Sequence, residues 1–251
     1  MNHGEALSAL GRITVHDDAQ ALTEAAARFI AQRSERALQQ RRCFNIALAG
    51  GNTPKHTYEL LASPAWHDRI RWDAWRVYFG DERAVPPDDE RSNYRMAQES
   101  LLSRVPIAEP NVHRMLGELD PSQAADAYHT LLEDTLPLDD DGVPQLDLVL
   151  LGLGENGHTA SLFPDTPALE VVERWATHGR ADYKPYDRIT LTYSVLNAAS
   201  DVAFLVEGAG KHQALHQTAR GRTPAARVQP RSGPPHWLLD REAAMGDPAG
   251  A

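Results

Sequence analysis

Residues 152–158 read GLGENGH and place a histidine directly after a glycine-rich loop. Because an imidazole has an unperturbed pKa of about 6.5, His158 can take up and return a proton near neutral pH, and a pH–rate profile should show a group that titrates there. Gly157 and the neighbouring glycines would let a substrate approach closely, and backbone N–H groups there could face developing negative charge. The competing interpretation is a histidine at a helix start whose ring is satisfied by local backbone groups.

The same loop contains GLGENG, which matches the G-x-G-x-x-G pattern of dinucleotide-binding loops. Such a loop also needs a preceding strand, a following helix that packs on the sheet, and an acidic residue at the end of the next strand. The strand is present, but the segment HTASLF soon reaches Pro164, and no convincing strand with a terminal acid follows. We therefore favour a loop that shapes a pocket and presents His158 over a nucleotide cradle.

A second glycine turn has the sequence AGGNTP. Gly50 and Gly51 would turn the chain after an apolar strand, and Asn52 follows them. Thr53 could cap a helix, for which Pro54 suits the first position. Free N–H groups and the positive end of the helix dipole would then form an anion site that suits phosphate. An ordinary capped helix after a tight turn is an equally good interpretation.

Charged residues stand at the ends of other predicted strands. Asp81 and Arg83 come directly after WRVYF, Arg188 opens RITLT, and Lys211 follows Gly208-Ala209-Gly210. The Asp81 carboxylate could orient a histidine or bind sugar hydroxyls, and each cation could neutralise an anionic ligand. Taken singly, each of these side chains is also compatible with an ordinary solvated surface charge.

Two further patterns are not expected to form functional sites. His212 and His216 stand at i and i+4 as in H-E-x-x-H zinc sites, but Gln213 replaces the catalytic glutamate and no third ligand is evident. We expect a solvated helix face there and no metal. Cys43 begins an apolar segment and is expected to be buried packing rather than a nucleophile.

Short apolar strands alternate with amphipathic helices along the whole chain. The predicted strands are 12–16, 43–49, 75–79, 112–116, 146–151, 188–193, 201–207 and 236–240. The predicted helices are 17–40, the segment from the GGNTP turn to about residue 62, 92–103, a helix after Pro121, and the segment KHQALHQTAR. This alternation predicts a mostly parallel, Rossmann-like sheet covered by helices on both faces. We expect one domain over residues 1–245, followed by a loose tail at 246–251.

Composition limits the classes of partner. The 251 residues carry a formal net charge of −10, so a nucleic-acid or anionic-membrane surface is not expected, and a phosphorylated ligand would need a local positive spot. No apolar run approaches the roughly 20 residues of a membrane span. The first residues lack the layout of a signal peptide, and a single cysteine excludes an intramolecular disulfide. These features predict a cytoplasmic protein.

Five stretches together resemble the 6-phosphogluconolactonase family. They are AGGNTP, YFGDERAVPPDDERSNYRMA, LDLVLLGLGENGHTASLFP, RITLTYSVLNAA and FLVEGAGKHQAL. The second and third are long and specific, and the resemblance extends over nearly the whole chain. It implies a three-layer α/β/α fold related to glucosamine-6-phosphate deaminase and ribose-5-phosphate isomerase. It also implies hydrolysis of 6-phospho-D-glucono-1,5-lactone to 6-phosphogluconate in the oxidative pentose phosphate pathway, without metal or organic cofactor.

The resemblance assigns a role to each candidate residue. His158 would be the base that activates water and then the acid that protonates the departing ring oxygen. Asp81 would lie close by and orient the imidazole or a sugar hydroxyl. The phosphate would be held by residues Gly50, Gly51, Asn52, Thr53, Gly157, Arg188 and Lys211, with Arg83 as a weaker member. The expected partner is this small substrate, and the expected state is a monomer or weak homodimer.

The chain departs from the family pattern at two positions. Asn156 stands where members commonly have aspartate before Gly-His, and Asn52 stands where many relatives have serine. In the related deaminases that aspartate takes part in the chemistry, so Asn156 counts against deamination. Two other functions stay open from the sequence: a sugar-phosphate isomerase or deaminase on the same fold, and a non-enzymatic sugar-phosphate sensor that would tolerate loss of His158.

Overall fold

A computed structural model describes residues 7–246 of the chain. The strands are β1 Arg12–His16, β2 Phe44–Leu48, β3 Trp75–Phe79, β4 Asp81–Arg83, β5 Leu148–Leu151, β6 Ala176–Arg180, β7 Asp187–Leu191, β8 Asp201–Val206 and β9 His236–Asp240. The α-helices are α1 Ala19–Gln40, α2 Asn52–Leu61, α3 Pro64–His67, α4 Asn93–Ala97, α5 Pro121–Thr135, α6 Tyr193–Ala198, α7 His212–Ala219 and α8 Arg241–Met245. Short 3₁₀ turns and a π-helical turn at Gln98–Leu102 link them.

Within residues 7–246, six strands form one parallel sheet in the order β1-β9-β8-β5-β2-β3. The central strand β5 is buried along its whole length. Its side chains alternate between two apolar clusters: Leu148 and Leu150 face one, Val149 and Leu151 the other. A strand that is apolar on both faces must be covered on both sides, and the predicted three-layer α/β/α architecture is confirmed.

The two covering layers come from different parts of the chain. Helices α1 and α2 pack on one face, with Leu22 and Tyr58 among the buried contacts. Helices α5, α6 and α7 pack on the other face, where Tyr128 and Leu215 lie in the second cluster. Side-chain caps fix where two of these helices begin: Asp18 accepts from the N–H of Ala21 at α1, and Asp120 caps α5 directly before Pro121.

A second sheet, with the order β4-β7-β6 and antiparallel pairing, is a feature that the sequence did not predict. The predicted strand at 188–193 is real as Asp187–Leu191 but belongs to this small sheet. Its neighbours had not been recognised as strands, because β4 lies in a charged segment expected to be a loop and β6 has the polar sequence ATHGR.

The predicted strand at 112–116 is wrong. Val112 forms one isolated bridge with Val77 on the edge strand β3, and the His113 N–H donates to the carbonyl of Val77 at 2.7 Å. The His113 ring then stacks on Tyr78 with centroids 4.6 Å apart. The chain thus contacts the sheet edge at one point and leaves it before a ladder can form.

Candidate active site

A cavity of about 230 Å³ opens at the carboxyl edge of the parallel sheet, above β2, β3, β5 and β8. After β2 the chain moves outward to β3, whereas after β5 it moves the other way to β8. Ligands of open α/β sheets bind at such a reversal, beyond the carboxyl ends of the strands. The lining includes Gly50, Gly51, Gly80, Asp81, Arg83, Asn93, Gly152, Gly154, His158, Ser161, Phe163, Tyr183, Arg188 and Lys211.

The glycine loop after β5 is a turn that seats the histidine. Among the described residues, no helix follows it before the 3₁₀ turn Pro167–Glu170, so the packing helix of a dinucleotide loop is missing. A Cβ on Gly154 would lie 2.0 Å from Nδ1 of His158. Gly157 has a φ of +79°, and a Cβ there would lie 2.3 Å from Thr223. Gly154 therefore leaves space for the imidazole. Gly157 allows the positive φ of the turn and its close contact with Thr223, and it does not line the cavity.

The His158 ring is held at one nitrogen by Asn156. Nδ1 of His158 lies 2.6 Å from Oδ1 of Asn156, and the same oxygen accepts from the backbone N–H of His158 at 3.1 Å. Phe163 stacks on the ring with centroids 4.2 Å apart. Because Oδ1 is an acceptor in both contacts, Nδ1 carries the proton, and Nε2 of the neutral ring keeps its lone pair.

Burial sets the protonation of this histidine. It lowers the pKa of His158 to about 4, while the Asp81 carboxylate opposes the shift and the Lys211 charge adds to it. The ring is therefore neutral at pH 7. The sequence-based expectation of a group that titrates near neutrality is replaced by one that titrates well below it.

Asp81 lies in the same cavity but is held by other partners. Its Oδ2 accepts from the Ser161 hydroxyl at 2.6 Å, and its Oδ1 accepts from the Asn93 amide at 3.1 Å. Within the described chain no hydrogen bond joins Asp81 to His158, so orientation of the imidazole falls to Asn156. The carboxylate is fixed at the cavity wall, where it can accept from a ligand hydroxyl.

The neighbouring Glu82 anchors this wall. Its buried carboxylate accepts from the N–H groups of Arg83, Asn93 and Tyr94, and from the Ser92 hydroxyl. Burial raises the pKa of Glu82, and the backbone hydrogen bonds oppose that shift. Glu82 thus ties the start of α4 to β4 and brings Asn93 against Asp81.

The cavity also gathers the three predicted cations. Arg188 is 1% exposed, lies on β7, donates to the carbonyl of Pro185, and has its guanidinium 5.4 Å from the ring centre of Tyr183. Burial and the nearby Arg83 charge lower the pKa of Arg188, which stays protonated. Lys211 reaches the cavity from the turn after β8. Three positive charges beside one carboxylate form the local positive spot that an anionic ligand needs in an acidic protein.

Two of the four predicted residues in the turn after β2 line the cavity. Gly50 and Gly51 line the cavity, and a Cβ on Gly50 would collide with the Asn93 side chain at 2.0 Å. Helix α2 begins two residues earlier than expected, at Asn52, with Gly51 in the cap position at a φ of +98°. Thr53 is therefore inside the first turn and not a cap. Asn52 and Thr53 are not among the described residues that line the cavity.

Ser161, Asn93, Phe163 and Tyr183 were not singled out from the sequence. Only Asn93 had a visible signal, since SNYR begins a helix next to the charged segment. His212 and His216, expected on a solvated helix face, are instead half-buried, with their rings 4.5 Å apart on α7. The described residues contain no group of three or more His, Cys, Asp and Glu that could hold a metal ion. Cys43 precedes β2 and is half-buried rather than enclosed in the strand. No helix in the described range is long and apolar enough to cross a membrane.

The fold and cavity define an α/β protein with one neutral histidine in a cationic pocket. Residues 17–237 match the family model described as glucosamine-6-phosphate isomerases/6-phosphogluconolactonase. The 6-phosphogluconolactonase of Synechocystis sp. is 42% identical over 230 residues, which are 89% of this chain and 93% of that protein. The one from Nostoc sp. is 40% identical over 237 residues, or 92% and 96% of the two chains.

Solved structures of related proteins are similar to this chain over most of its length. The 6-phosphogluconolactonase of Trypanosoma brucei superposes with a TM-score of 0.83 at 32% identity and covers 93% of this chain and 97% of its own. A monomeric glucosamine-6-phosphate deaminase, at 20% identity and a TM-score of 0.76, shares the fold over 93% and 98% of the chains. The chain belongs to the glucosamine-6-phosphate isomerase/6-phosphogluconolactonase family.

Proposed function

We propose that this protein hydrolyses 6-phospho-D-glucono-1,5-lactone to 6-phospho-D-gluconate, a step of the oxidative pentose phosphate pathway. The observation that carries the proposal is the neutral His158 whose Nε2 is free, in a cavity lined by Arg83, Arg188 and Lys211. A base with a lone pair suits activation of water, and the cations suit a phosphate dianion. The relatives at 40% and 42% identity are named for this reaction.

In the proposed mechanism, Nε2 of His158 takes a proton from a water molecule as its oxygen attacks the lactone carbonyl. The tetrahedral intermediate collapses by breaking the bond between the carbonyl carbon and the ring oxygen. The imidazolium then returns its proton to that oxygen, which becomes the C5 hydroxyl of the product. Water is added across one ester bond and nothing is oxidised or reduced, so the reaction needs no cofactor.

The low pKa of His158 affects both proton transfers, the one from water and the one to the ring oxygen. At pH 7 the ring is almost entirely in the basic form, so no fraction of the enzyme is lost to protonation. The imidazolium formed during attack is correspondingly acidic and gives its proton readily to the departing alkoxide. Asn156 keeps Nδ1 as the donor throughout and thereby keeps Nε2 as the reacting atom.

The phosphate end of the substrate fits the cationic wall. We assign the phosphate to Arg188, Lys211 and the N–H groups around Gly50 and Gly51, with Arg83 beside them. Binding energy from this remote group would position the lactone carbonyl against His158. Asp81, fixed by Ser161 and Asn93, would accept from a sugar hydroxyl and hold the ring between the two ends.

Deamination or isomerisation on the same fold is less well supported. Both need a base that moves a proton at carbon, and in the related deaminases the residue before Gly-His is an aspartate, whereas Asn156 has no titratable carboxyl. A sugar-phosphate sensor would share the cationic wall but would not need the ordered Nδ1 contact of His158. We also propose a single domain over residues 1–245, a cytoplasmic location, and a monomer or weak homodimer. The expected tail at 246–251 lies outside the described residues except for Gly246.

The decisive experiment measures hydrolysis of freshly generated 6-phosphogluconolactone, with the spontaneous rate subtracted and unphosphorylated gluconolactone run alongside. We expect acceleration that depends on the phosphate, and a His158→Ala variant whose kcat falls by about 10²- to 10⁴-fold while product affinity is retained. Product binding without acceleration would indicate a sensor. Ammonia release or exchange of a carbon-bound proton with solvent would indicate a deaminase or isomerase.

A further inference from the structure

A second cavity lies at the opposite edge of the parallel sheet. It has a volume of about 310 Å³ and is lined by residues near the amino ends of β1, β5 and β8 and the end of α1. Four arginines converge on it: Arg12, Arg33, Arg36 and Arg41. Because strands of five residues separate the two edges by about 16 Å, this cavity is distinct from the one that holds His158.

The arginines outnumber the carboxylates beside them. Nε of Arg33 lies 2.8 Å from Oδ2 of Asp201, and NH1 of Arg41 lies 3.0 Å from Oδ1 of Asp147. Among the described residues, no carboxylate oxygen lies within 4 Å of the Arg12 or Arg36 guanidinium. With four arginines and two aspartates, the lining carries a net charge of +2 in a chain of net charge −10. The carbonyl end of α1 offsets only about half a charge.

Arg33 is held in place by its neighbours, whereas Arg12 and Arg36 are exposed at the rim of the cavity. NH1 of Arg12 and NH2 of Arg33 lie 3.1 and 3.3 Å from the same atom, Nε2 of His236. The Arg33 guanidinium also lies over the Phe29 ring at 4.3 Å, and the His236 ring contacts Phe29 at 4.8 Å. Oδ1 of Asp201 lies 3.2 Å from the same Nε2, so this one carboxylate contacts both Arg33 and His236.

We propose that this cavity binds a small phosphorylated anion. Guanidinium groups match the oxygens of a phosphate in a planar, two-point manner, and two surplus charges balance a phosphate dianion but not a single carboxylate. The concave shape and the flanking Asp147 and Asp201 disfavour an extended polyanion such as nucleic acid. The site is independent of the proposed lactone hydrolysis, and both cavities can be occupied at once.

The charge surplus can be removed without disturbing the buried carboxylates. Arg33 and Arg41 pair with Asp201 and Asp147, so their loss would leave partly or fully buried charges unpaired. The double variant Arg12→Gln/Arg36→Gln avoids this problem. Its matched control is Arg71→Gln/Arg174→Gln, which removes the same charge from exposed arginines that each face one exposed carboxylate elsewhere.

The test is a titration with orthophosphate, and separately with pyrophosphate, at constant ionic strength. Binding is monitored by the NMR chemical shifts of backbone amides. Ser200 lines the second cavity and Gly233 lies beside Arg12 next to it, so these two amides report the second cavity, and Gly51 and Lys211 report the first. We expect saturable shifts at Ser200 and Gly233 whose Kd rises at least tenfold in Arg12→Gln/Arg36→Gln but not in the control. Lactone hydrolysis should be unchanged in both variants.

Three outcomes would overturn the assignment: no saturable shift at Ser200 and Gly233 in the wild type, an unchanged Kd in Arg12→Gln/Arg36→Gln, or acetate that binds as tightly as orthophosphate. Preference for orthophosphate would define a single phosphoryl group as the ligand, and preference for pyrophosphate a diphosphate. Because binding is read at amides of the second cavity, failure here is separable from failure of the lactonase proposal.

Discussion

Oδ1 of Asn156 accepts from both the backbone N–H and the ring Nδ1 of His158, at 3.1 and 2.6 Å. A neutral amide in this place fixes the tautomer without adding charge, so burial is free to lower the pKa of the imidazole to about 4. A carboxylate in the same place would accept the same two hydrogen bonds but would also stabilise the imidazolium. Asn156 thus separates the orientation of the imidazole from its basicity.

The first prediction concerns Asn156→Asp. We expect the pKa of His158 to rise by about one to three units, because an opposite charge within hydrogen-bond distance favours the protonated ring. The acid limb of kcat/KM for the free enzyme should move to higher pH by the same amount, with little loss at pH 8. In the wild type, titration of His158 should leave kcat/KM unchanged with pH near neutrality.

The substrate phosphate has a second pKa near 6, so only the difference between variant and wild type is informative. Asn111→Asp adds the same charge at the turn Glu109–Asn111 and serves as the control. An acid limb that coincides in Asn156→Asp and wild type would contradict the role given to Asn156.

The second prediction concerns Gly154→Ala. The added Cβ would lie 2.0 Å from Nδ1 of His158, so the ring must move away from Asn156 and from its working position. We expect kcat to fall by about 100-fold, since a displacement near 1 Å of a reacting group costs rate on that scale. Gly152→Ala is the control, because a Cβ there meets no atom within 4 Å. A kcat that falls equally in both variants would assign the effect to the backbone of the loop and not to the imidazole.

Much of this site could be predicted from the sequence because its parts are local. Glycines, a histidine and charged residues stand directly after apolar strands, and the carboxyl ends of parallel strands must meet at one edge. His158, Asp81 and Lys211 follow from that argument, whereas Arg188 opens its predicted strand and was joined to them by the resemblance to the 6-phosphogluconolactonase family. The sheet itself followed from strand and helix alternation.

The parts that could not be predicted depend on contacts between distant segments. Ser161 donates to Asp81 across 80 positions of sequence, and no local pattern marks either residue as the partner of the other. The small antiparallel sheet was not predicted for a similar reason. Strands β4 and β6 are polar in sequence, and they form a sheet only by pairing with β7. The low pKa of His158 is a property of burial and not of residue type.

The third prediction concerns Lys211→Gln. If Lys211 binds the phosphate, kcat/KM for the phosphorylated lactone should fall by about 10- to 100-fold, the value of one charged hydrogen bond. The rate with unphosphorylated gluconolactone should change little, because that substrate never uses the contact. Lys55→Gln removes the same charge from a surface pair with Glu59 and should affect neither substrate. Equal losses on both substrates would place Lys211 at the reacting end instead.

The last prediction concerns stability. The folded state holds His158 neutral down to about pH 4, whereas the unfolded chain binds a proton there below about pH 6.5. The unfolded state therefore binds more protons between these values, and the free energy of unfolding should rise with pH across this window by up to about 3 kcal/mol from this residue alone. Denaturant unfolding of wild type and His158→Gln at several pH values isolates the effect, because the acidic groups that both proteins share cancel in the difference. A difference that stays constant from pH 4 to 7 would mean that the imidazole titrates alike in both states, and would remove the basis for a neutral, pre-oriented base.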